Sequence, residues 1–433
     1  MIRTHYSNEI TEKMDSEQVV VAGWIDNIRD IGKIKFVILR DREGTMQVVV
    51  KEKDMTEKIK HMGKESVISV KGVVQASDKS PCGWELIPED IEMLNKSETT
   101  LPLEVKESAN ADLDTRLNAR VLDLRKPSVT AIFKIRSKIL EGGREYFTKN
   151  KFVEIHTPRI ISTASEGGTD LFPISYFDKE AFLAQSPQLF KQMIMGTGFD
   201  KIFEIATYFR AEEHKTIWHL NEITAIDCEM AFINSEDDIL DVLEGMTKYI
   251  VKFVADNCKE ELKVLKVKVD AVDYDFPRLT YTEALKLLSK EGIELPWGED
   301  LDTAAEKKIG EIMKKKGFEF YFITKYPMAI KPFYTMPEPG NDKISRGFDL
   351  EFRGRELVSG SQRIHDREFL MKQLKKKGMN PEALESYLDA FKYGMPPHGG
   401  FGFGIERIVM LLLGLSNIRE AVLFPRDRTR INP

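Results

Sequence analysis

The sequence predicts an α+β chain: a small five-stranded β-barrel, then a larger domain built on a largely antiparallel sheet flanked by helices. Three observations predict it. Five β-branched or alternating runs crowd into residues 17–95, separated by turn-forming residues. A polar stretch without clean periodicity follows. Beyond it, strands and helices mix without the strand–helix–strand rhythm of a parallel sheet. At 433 residues the chain is long for one domain, so two or three are expected.

The runs EQVVVAGWI, KIKFVILRD, MQVVVK, SVISVKGVV and WELIPEDIEML supply the barrel, placed at residues 1–103, with DNIRDIG and REGT as turns. Five short strands in so short a span suit the OB-fold, the commonest five-stranded barrel. Residues 104–130 read as a hinge or linker, and 131–433 as the second domain. In its first segment, Ala131–Asn150, Ile132, Ile135, Ile139 and Phe147 fall near helical spacing. That segment leads into FVEIHTPRII, which is extended and interrupted at Pro158. The region from about 235 to 320 is helical and charged, as in DDILDVLEGMTKYIVKFV, and reads as a helical insertion capping the domain.

Composition narrows the function classes. Apolar residues make up 42% and charged residues 31%, values of a soluble globular chain. The longest apolar run, Ile408–Leu415, is far too short to span a bilayer. The opening MIRTHYSNEITEKMD has no apolar core, so no signal peptide is expected. Cys82, Cys228 and Cys258 are scattered and form no CxxC pair, which argues against a disulfide framework or a zinc site. A cytoplasmic location is expected. Net charge is −6, and acids outnumber bases even in the first 110 residues, so any nucleic-acid binding must rest on local constellations.

Four constellations carry chemistry. In FRAEEHKTIWHLNE (Phe209–Glu222), Arg210 at a strand end presents a fork of donors to a phosphate or carboxylate. Glu212, two residues on and on the same face of the strand, can accept from an exocyclic amine. In FDLEFRGRELVSGSQR, Asp349 and Glu356 flank a turn at Arg353–Gly354. A hairpin bringing them together, with Ser359, would suit magnesium held jointly with substrate phosphates, and Arg363 adds an anion fork. HGGFGFGIERIVMLLLGL runs glycines into a helix, a turn that allows close backbone approach to an anion. Arg407 stands where a dinucleotide fingerprint needs glycine, and better suits a nucleotide phosphate. Finally, SEGGTDLF is a flexible loop carrying Glu166, and AFLAQSPQLFKQ starts a helix with Ser186 as N-cap and Pro187 in its first position. Gln188 and Lys191 then share one face, where the lysine can meet a substrate carboxylate.

Together, in this order, these pieces resemble the class II aminoacyl-tRNA synthetases. FVEIHTPRII looks like the family's first motif, FRAEEH…HLNE like its second and GFGIER like its third. QSPQLFKQ, RGFDLEFRG, SGSQRIH, YGMPPHGGFGFG, LFPRDR and GWIDNIRDIGKIKFVILRDREG extend the resemblance, over almost the whole chain, to the archaeal-type aspartyl-tRNA synthetases. The resemblance implies an OB-fold anticodon-binding domain ahead of a catalytic domain that forms homodimers. It also implies ATP-dependent ligation of L-aspartate to tRNA(Asp) through an aspartyl-adenylate, with Mg2+.

Roles follow from the same resemblance. Arg210 would hold the α-phosphate and act catalytically there, while Glu212 would read the adenine amine. His219, Leu220, Gly404 and Arg407 would contact the rest of ATP, Arg407 at the terminal phosphate. Asp349, Glu356 and Ser359 would ligate magnesium, Glu356 serving ATP as well. Lys191 and Arg363 would pair with the aspartate side chain. Glu166, Gln188 and Asp227 would surround its ammonium, with Arg210, Ser359 and His398 completing the pocket. In the barrel, Phe36 would stack an anticodon base, with Arg29, Gln47 and Glu85 as hydrogen-bonders. Pro81, in DKSPCG, implies that tRNA(Asn) is charged as well. The chain departs from the pattern at Trp218, where the second motif usually carries arginine; tryptophan carries no charge, so weakened ATP binding is expected. The rival readings are an asparaginyl- or lysyl-tRNA synthetase, which Lys191 opposes, and a paralog that binds RNA or amino acid without aminoacylating. Retention of Arg210, Glu212, Glu356 and Arg407 opposes the last.

Overall fold

A computed structural model describes residues 2–78, 80, 82–162, 171–213 and 215–432. The chain divides into two compact units, residues 1–115 and 116–433. In the first, strands β1 (Gln18–Ile31), β2 (Ile34–Arg40), β3 (Thr45–Val50), β4 (Val67–Ala76) and β5 (Trp84–Asn95) close a barrel in the order β1-β2-β3-β5-β4. Alternation drives it: Val19, Val21, Val37, Leu39, Val48, Val50, Ile68, Val70 and Leu86 all point into one core. The segment DNIRDI, expected as a turn, is instead the second half of β1. A bulge between Ile25 and Asn27 lets the strand continue, pairing with β2 as far as Ile31↔Ile34. The reversal is left to Gly32, at φ 64°.

The second unit is built on an eight-stranded sheet. Its members are β6 (Val153–Glu154), β10 (Lys201–Phe209), β11 (Glu222–Ala231), β12 (Arg278–Thr280), β13 (Phe320–Thr324), β16 (Gly347–Phe352), β17 (Glu356–Arg363) and β18 (His398–Gly404). Small accessory sheets hold β7 (Ile160–Ile161), β8 (Pro173–Tyr176) and β9 (Lys179–Leu183), and β14 (Pro337–Glu338) with β15 (Asn341–Ser345). The order is β12-β13-β16-β17-β18-β11-β10-β6, antiparallel through the middle and parallel at both edges.

One helix, Pro127–Lys149, packs its Ile132, Ile135, Ile139 and Phe147 onto this sheet, starting four residues before the expected position because Pro127 is suited to a first turn. The expected insertion is not a solvated cap. Helix Asp237–Asn257 buries Ile239, Leu240, Leu243, Met246, Ile250 and Val254 in the same core, and Arg278–Thr280 is a sheet strand. Only the helices Tyr281–Lys290 and Thr303–Lys315 gather a separate apolar cluster. Part of the expected linker is ordered as well. Leu113–Asn118 and Arg120–Asp123 are short helices, and the buried Arg120 donates to Val422 O (2.6 Å), Leu423 O (2.8 Å) and Asp123 (2.7 Å). The contacts are polar, so apolar periodicity could not announce them.

Candidate active site

A cavity of about 350 Å3 opens over β10, β11, β17 and β18. Its closed end is made of charges. Lys191, on helix Gln188–Met195, and Arg363, the last residue of β17, are 3% and 4% exposed. Burial that deep requires partners, and β11 supplies them. Lys191 Nζ lies 3.0 Å from Asp227 and 3.3 Å from Glu229, and donates to Phe401 O at 3.1 Å. Arg363 Nε donates to Glu229 at 3.1 Å, and its Nη2 reaches Gln188 Oε1 (3.2 Å) and Gly400 O (2.9 Å). Burial alone would raise the Glu229 carboxyl, but Arg363 and then Lys191 hold it below its ordinary value. Two cations therefore face two anions, and the closed end is balanced before any ligand enters.

Glu229 was missed in the sequence. The available signal was the period of two in Asp227–Cys228–Glu229, which puts both acids on one face of β11. Space for it comes from β18, where Gly400 lies opposite Glu229. A Cβ at 400 would stand 2.0 Å from Cys228 O and 2.3 Å from the Glu229 carboxylate. The glycines of HGGFGF are thus strand residues that make room for a neighbour, not a loop around an anion; only Gly404 caps the following helix, Ile405–Leu413. His398, expected in the pocket, is fully buried and does not line the cavity, with Nδ1 2.8 Å from Pro396 O and Nε2 3.1 Å from Gln192 Nε2. The carbonyl fixes the proton on Nδ1, and burial pushes the imidazole down to about 4.

The open end holds the nucleotide candidates. β10 stops at Phe209, so Arg210 and Glu212 lie on the following loop, not on one strand face as expected. Asn221 Nδ2 donates to the carbonyls of both (2.7 and 3.2 Å), folding the loop so that the two side chains come within 3.8 Å. His219 is 3.9 Å from Glu212. Leu220, Trp218, Gly404 and Arg407 also line the cavity, and Arg407 donates to Glu356 O at 3.0 Å. Helix Gln188–Met195 begins one residue later than expected, with the Ser186 hydroxyl 3.4 Å from Gln188 N.

The β16–β17 hairpin turns at Arg353 (φ 55°) and Gly354 (φ 74°). A register shift after Leu350 sets Asp349 opposite Ser359 and Glu351 opposite Glu356. Glu356 and Ser359 face the cavity, but Asp349 does not: it is buried, with both oxygens on Lys331 Nζ (2.9 and 3.1 Å). Among the described residues no three side chains are grouped to hold a metal ion. A carboxylate and a hydroxyl on the cavity wall are hard oxygens that fit magnesium sharing its remaining positions with phosphates. Two unexpected acids sit behind them. Burial first, then neighbouring carboxylates, pushes Glu306 up to about 7 and Glu351 well above its usual range.

On the barrel, Phe36 alternates with the inward Val37, so it lies on the outer face, with Arg29 opposite it on β1. Gln47 donates to Glu85 at 2.7 Å. Glu166 and Pro81 lie outside the described residues.

The fold and cavity define a class. The family model described as tRNA synthetases class II (D, K and N) matches residues 112–428, and that of the OB-fold nucleic acid binding domain matches 19–94. The chain belongs to the class II tRNA synthetases. More particularly, it is 52% identical to the aspartate–tRNA(Asp) ligase of Pyrococcus furiosus and 49% identical to the aspartate–tRNA(Asp/Asn) ligase of Methanopyrus kandleri, across the full length of all three chains. Among solved structures, asparaginyl-tRNA synthetase from Pyrococcus horikoshii complexed with asparaginyl-adenylate superposes with TM-score 0.93 at 33% identity, covering both chains fully. An aspartyl-tRNA synthetase from Entamoeba histolytica gives 0.88 at 34%, covering 99% of this chain and 92% of its own.

Proposed function

We propose that this chain ligates L-aspartate to tRNA, activating the amino acid with ATP at the cavity described above. The observation that carries the reading is the buried Lys191–Arg363 pair at the closed end. The aspartate side-chain carboxylate docks there, drawing donors of the two cations away from Asp227 and Glu229, and the amide of asparagine brings no charge to that exchange. Gln188 and Asp227 receive the ammonium, with Glu166 as a further partner. This orientation points the α-carboxylate outward, toward Arg210.

ATP lies along the open end. Glu212 accepts from the adenine amine, Leu220 and Gly404 pack against the nucleotide, and His219 and Arg407 hold the outer phosphates. The aspartate α-carboxylate attacks the α-phosphorus, the bond to the bridging oxygen breaks, and pyrophosphate leaves. Arg210 stabilises the charge that grows on the α-phosphate during attack. Most of the acceleration is positioning, since substrate supplies its own nucleophile. Glu356 and Ser359 would hold magnesium, which would supply neutralisation of phosphate charge.

The barrel reads the anticodon, Phe36 stacking a base beside Arg29, Gln47 and Glu85. Two chains associate as a homodimer; terminal strand β6, with Val153 43% exposed, supports an edge-to-edge contact there. Pro81 favours a second reading of tRNA choice, in which tRNA(Asn) is aspartylated too. ATP–pyrophosphate exchange with aspartate, asparagine or lysine supplied separately tests the amino acid, and only aspartate is expected to support it. Charging of purified tRNA(Asp) and tRNA(Asn) tests the nucleic acid. No exchange with any amino acid in folded protein would replace this reading with a non-aminoacylating paralog.

A further inference from the structure

Trp218 lines the cavity beside Arg407 and Glu356, and packs against the apolar cluster of Leu220, Met410 and Ile418. A guanidinium lies on its ring: Arg355 Cζ is 4.7 Å from the ring centroid. Arg355 is the residue before Glu356, on the turn that closes the β16–β17 hairpin. That turn is pinned, because Gly354 packs against Gly310 of helix Thr303–Lys315 so closely that a Cβ at 310 would stand 2.3 Å from the Gly354 Cα.

The guanidinium of Arg355 is held without being consumed. Among the described residues, the carboxylate paired with it is Glu306 at 3.6 Å, too long for a hydrogen bond. Among the same residues, its guanidinium makes no hydrogen bond to protein, and its side chain is 21% exposed. By contrast, the guanidinium of Arg363 spends donors on Glu229, Ser361, Gln188 and Gly400. An aromatic face attracts a cation through its ring quadrupole and leaves the in-plane N–H fork unused. Such a fork matches phosphate oxygens.

We propose that Arg355, seated on Trp218, is a binding residue for the outer phosphates of ATP, and that Trp218 is its positioning residue. The neutral ring at 218 then costs the site no charge: the cation comes from the neighbouring hairpin and the ring fixes its direction. The inference rests on the ATP-and-aspartate reading of the cavity.

The test is ATP–pyrophosphate exchange on the full chain, varying ATP at saturating aspartate and the reverse. Wild-type exchange is measured first; its absence sinks the underlying reading. Given exchange, Arg355→Ala raises the ATP KM about tenfold or more, the value of one charge-assisted contact. KM for aspartate and kcat stay within about threefold on the same reasoning. Trp218→Phe keeps a ring and stays near wild type, whereas Trp218→Ala moves toward Arg355→Ala. Binding of a non-hydrolysable aspartyl-adenylate analogue, which has no outer phosphates, is unchanged in all three. Arg355→Lys, which keeps the charge and is the second variant if Arg355→Ala does not fold, recovers part of the ATP affinity. An unchanged ATP KM in Arg355→Ala overturns the proposal. So does an equal loss of affinity for ATP and for the adenylate analogue, because that marks a structural role.

Discussion

Lys191→Met removes one charge from a site whose charges are otherwise matched. Methionine has nearly the shape of the lysine stem, so packing around helix Gln188–Met195 is retained. Asp227 and Glu229 then face Arg363 alone, and the closed end turns from neutral to negative. Truncating one partner of a buried, hydrogen-bonded charge pair costs about 2–5 kcal/mol. At 1.4 kcal/mol per decade, kcat/KM for aspartate in ATP–pyrophosphate exchange should fall by about 30- to 4,000-fold. The ATP KM should hold within about threefold, because Lys191 lies at the end of the cavity away from Arg407. Preference for aspartate over asparagine should shrink, since a neutral side chain is less repelled by the uncompensated acids. A folded variant, with unchanged circular dichroism, that keeps more than a tenth of wild-type kcat/KM would refute the assignment of Lys191 to the aspartate carboxylate.

Other expectations concern pH, the barrel and the sheet. His398 titrates near 4 when folded and near 6.5 when unfolded, so the unfolded chain gains the proton first on acidification. Stability should therefore fall as pH drops from 6.5 to 4 more steeply in wild type than in His398→Gln, read as urea midpoints; parallel curves would contradict a neutral buried imidazole. Glu306 has the opposite sign. Its folded carboxyl holds a proton up to about pH 7 while the unfolded one releases it near 4.5, so stability should decline as pH rises from 4.5 to 7 in magnesium-free buffer. Glu306→Gln should flatten that decline. Phe36→Ala should lower tRNA charging while leaving amino-acid-dependent pyrophosphate exchange intact, and an equal loss of both would move Phe36 from recognition to folding. Gly400→Ala should destabilise the catalytic unit by more than about 2 kcal/mol, because a methyl group would overlap Cys228 O and Glu229.

How far the sequence was legible depended on which force shaped each element. Apolar period-two runs set the barrel, and Val37 and Leu39 point inward as alternation demands. Helical spacing of Ile132, Ile135, Ile139 and Phe147 placed the helix under the sheet. The motifs brought Lys191, Arg210, Glu212, Arg363 and Arg407 to one cavity. What failed was decided by tertiary partners. Helix Asp237–Asn257 looks equally amphipathic whether it caps a domain or packs in its core, so its pattern could not choose. Asp349, seven residues from Glu356, shares a strand face with Ser359, but the cavity-lining Lys331 takes both its oxygens, a partner that spacing alone does not announce. Glu229 shares a strand face with Asp227 by the period of two, but its role is legible only once its two cations are in view. The β18 glycines looked like a phosphate loop because a glycine shows what it lacks, not which atom fills the space.

Gly400 and Glu229 have an evolutionary consequence. One position carries an acid that neutralises Arg363, and the other carries nothing so that the acid fits. Neither can drift alone: a side chain at 400 evicts the acid, and losing the acid strands the arginine. A lineage shifting toward another amino acid would have to cross an unstable intermediate or change both strands together. Specificity here is thus locked by steric room as much as by the residues that would touch the substrate, and covariation between these two positions among relatives would be its trace.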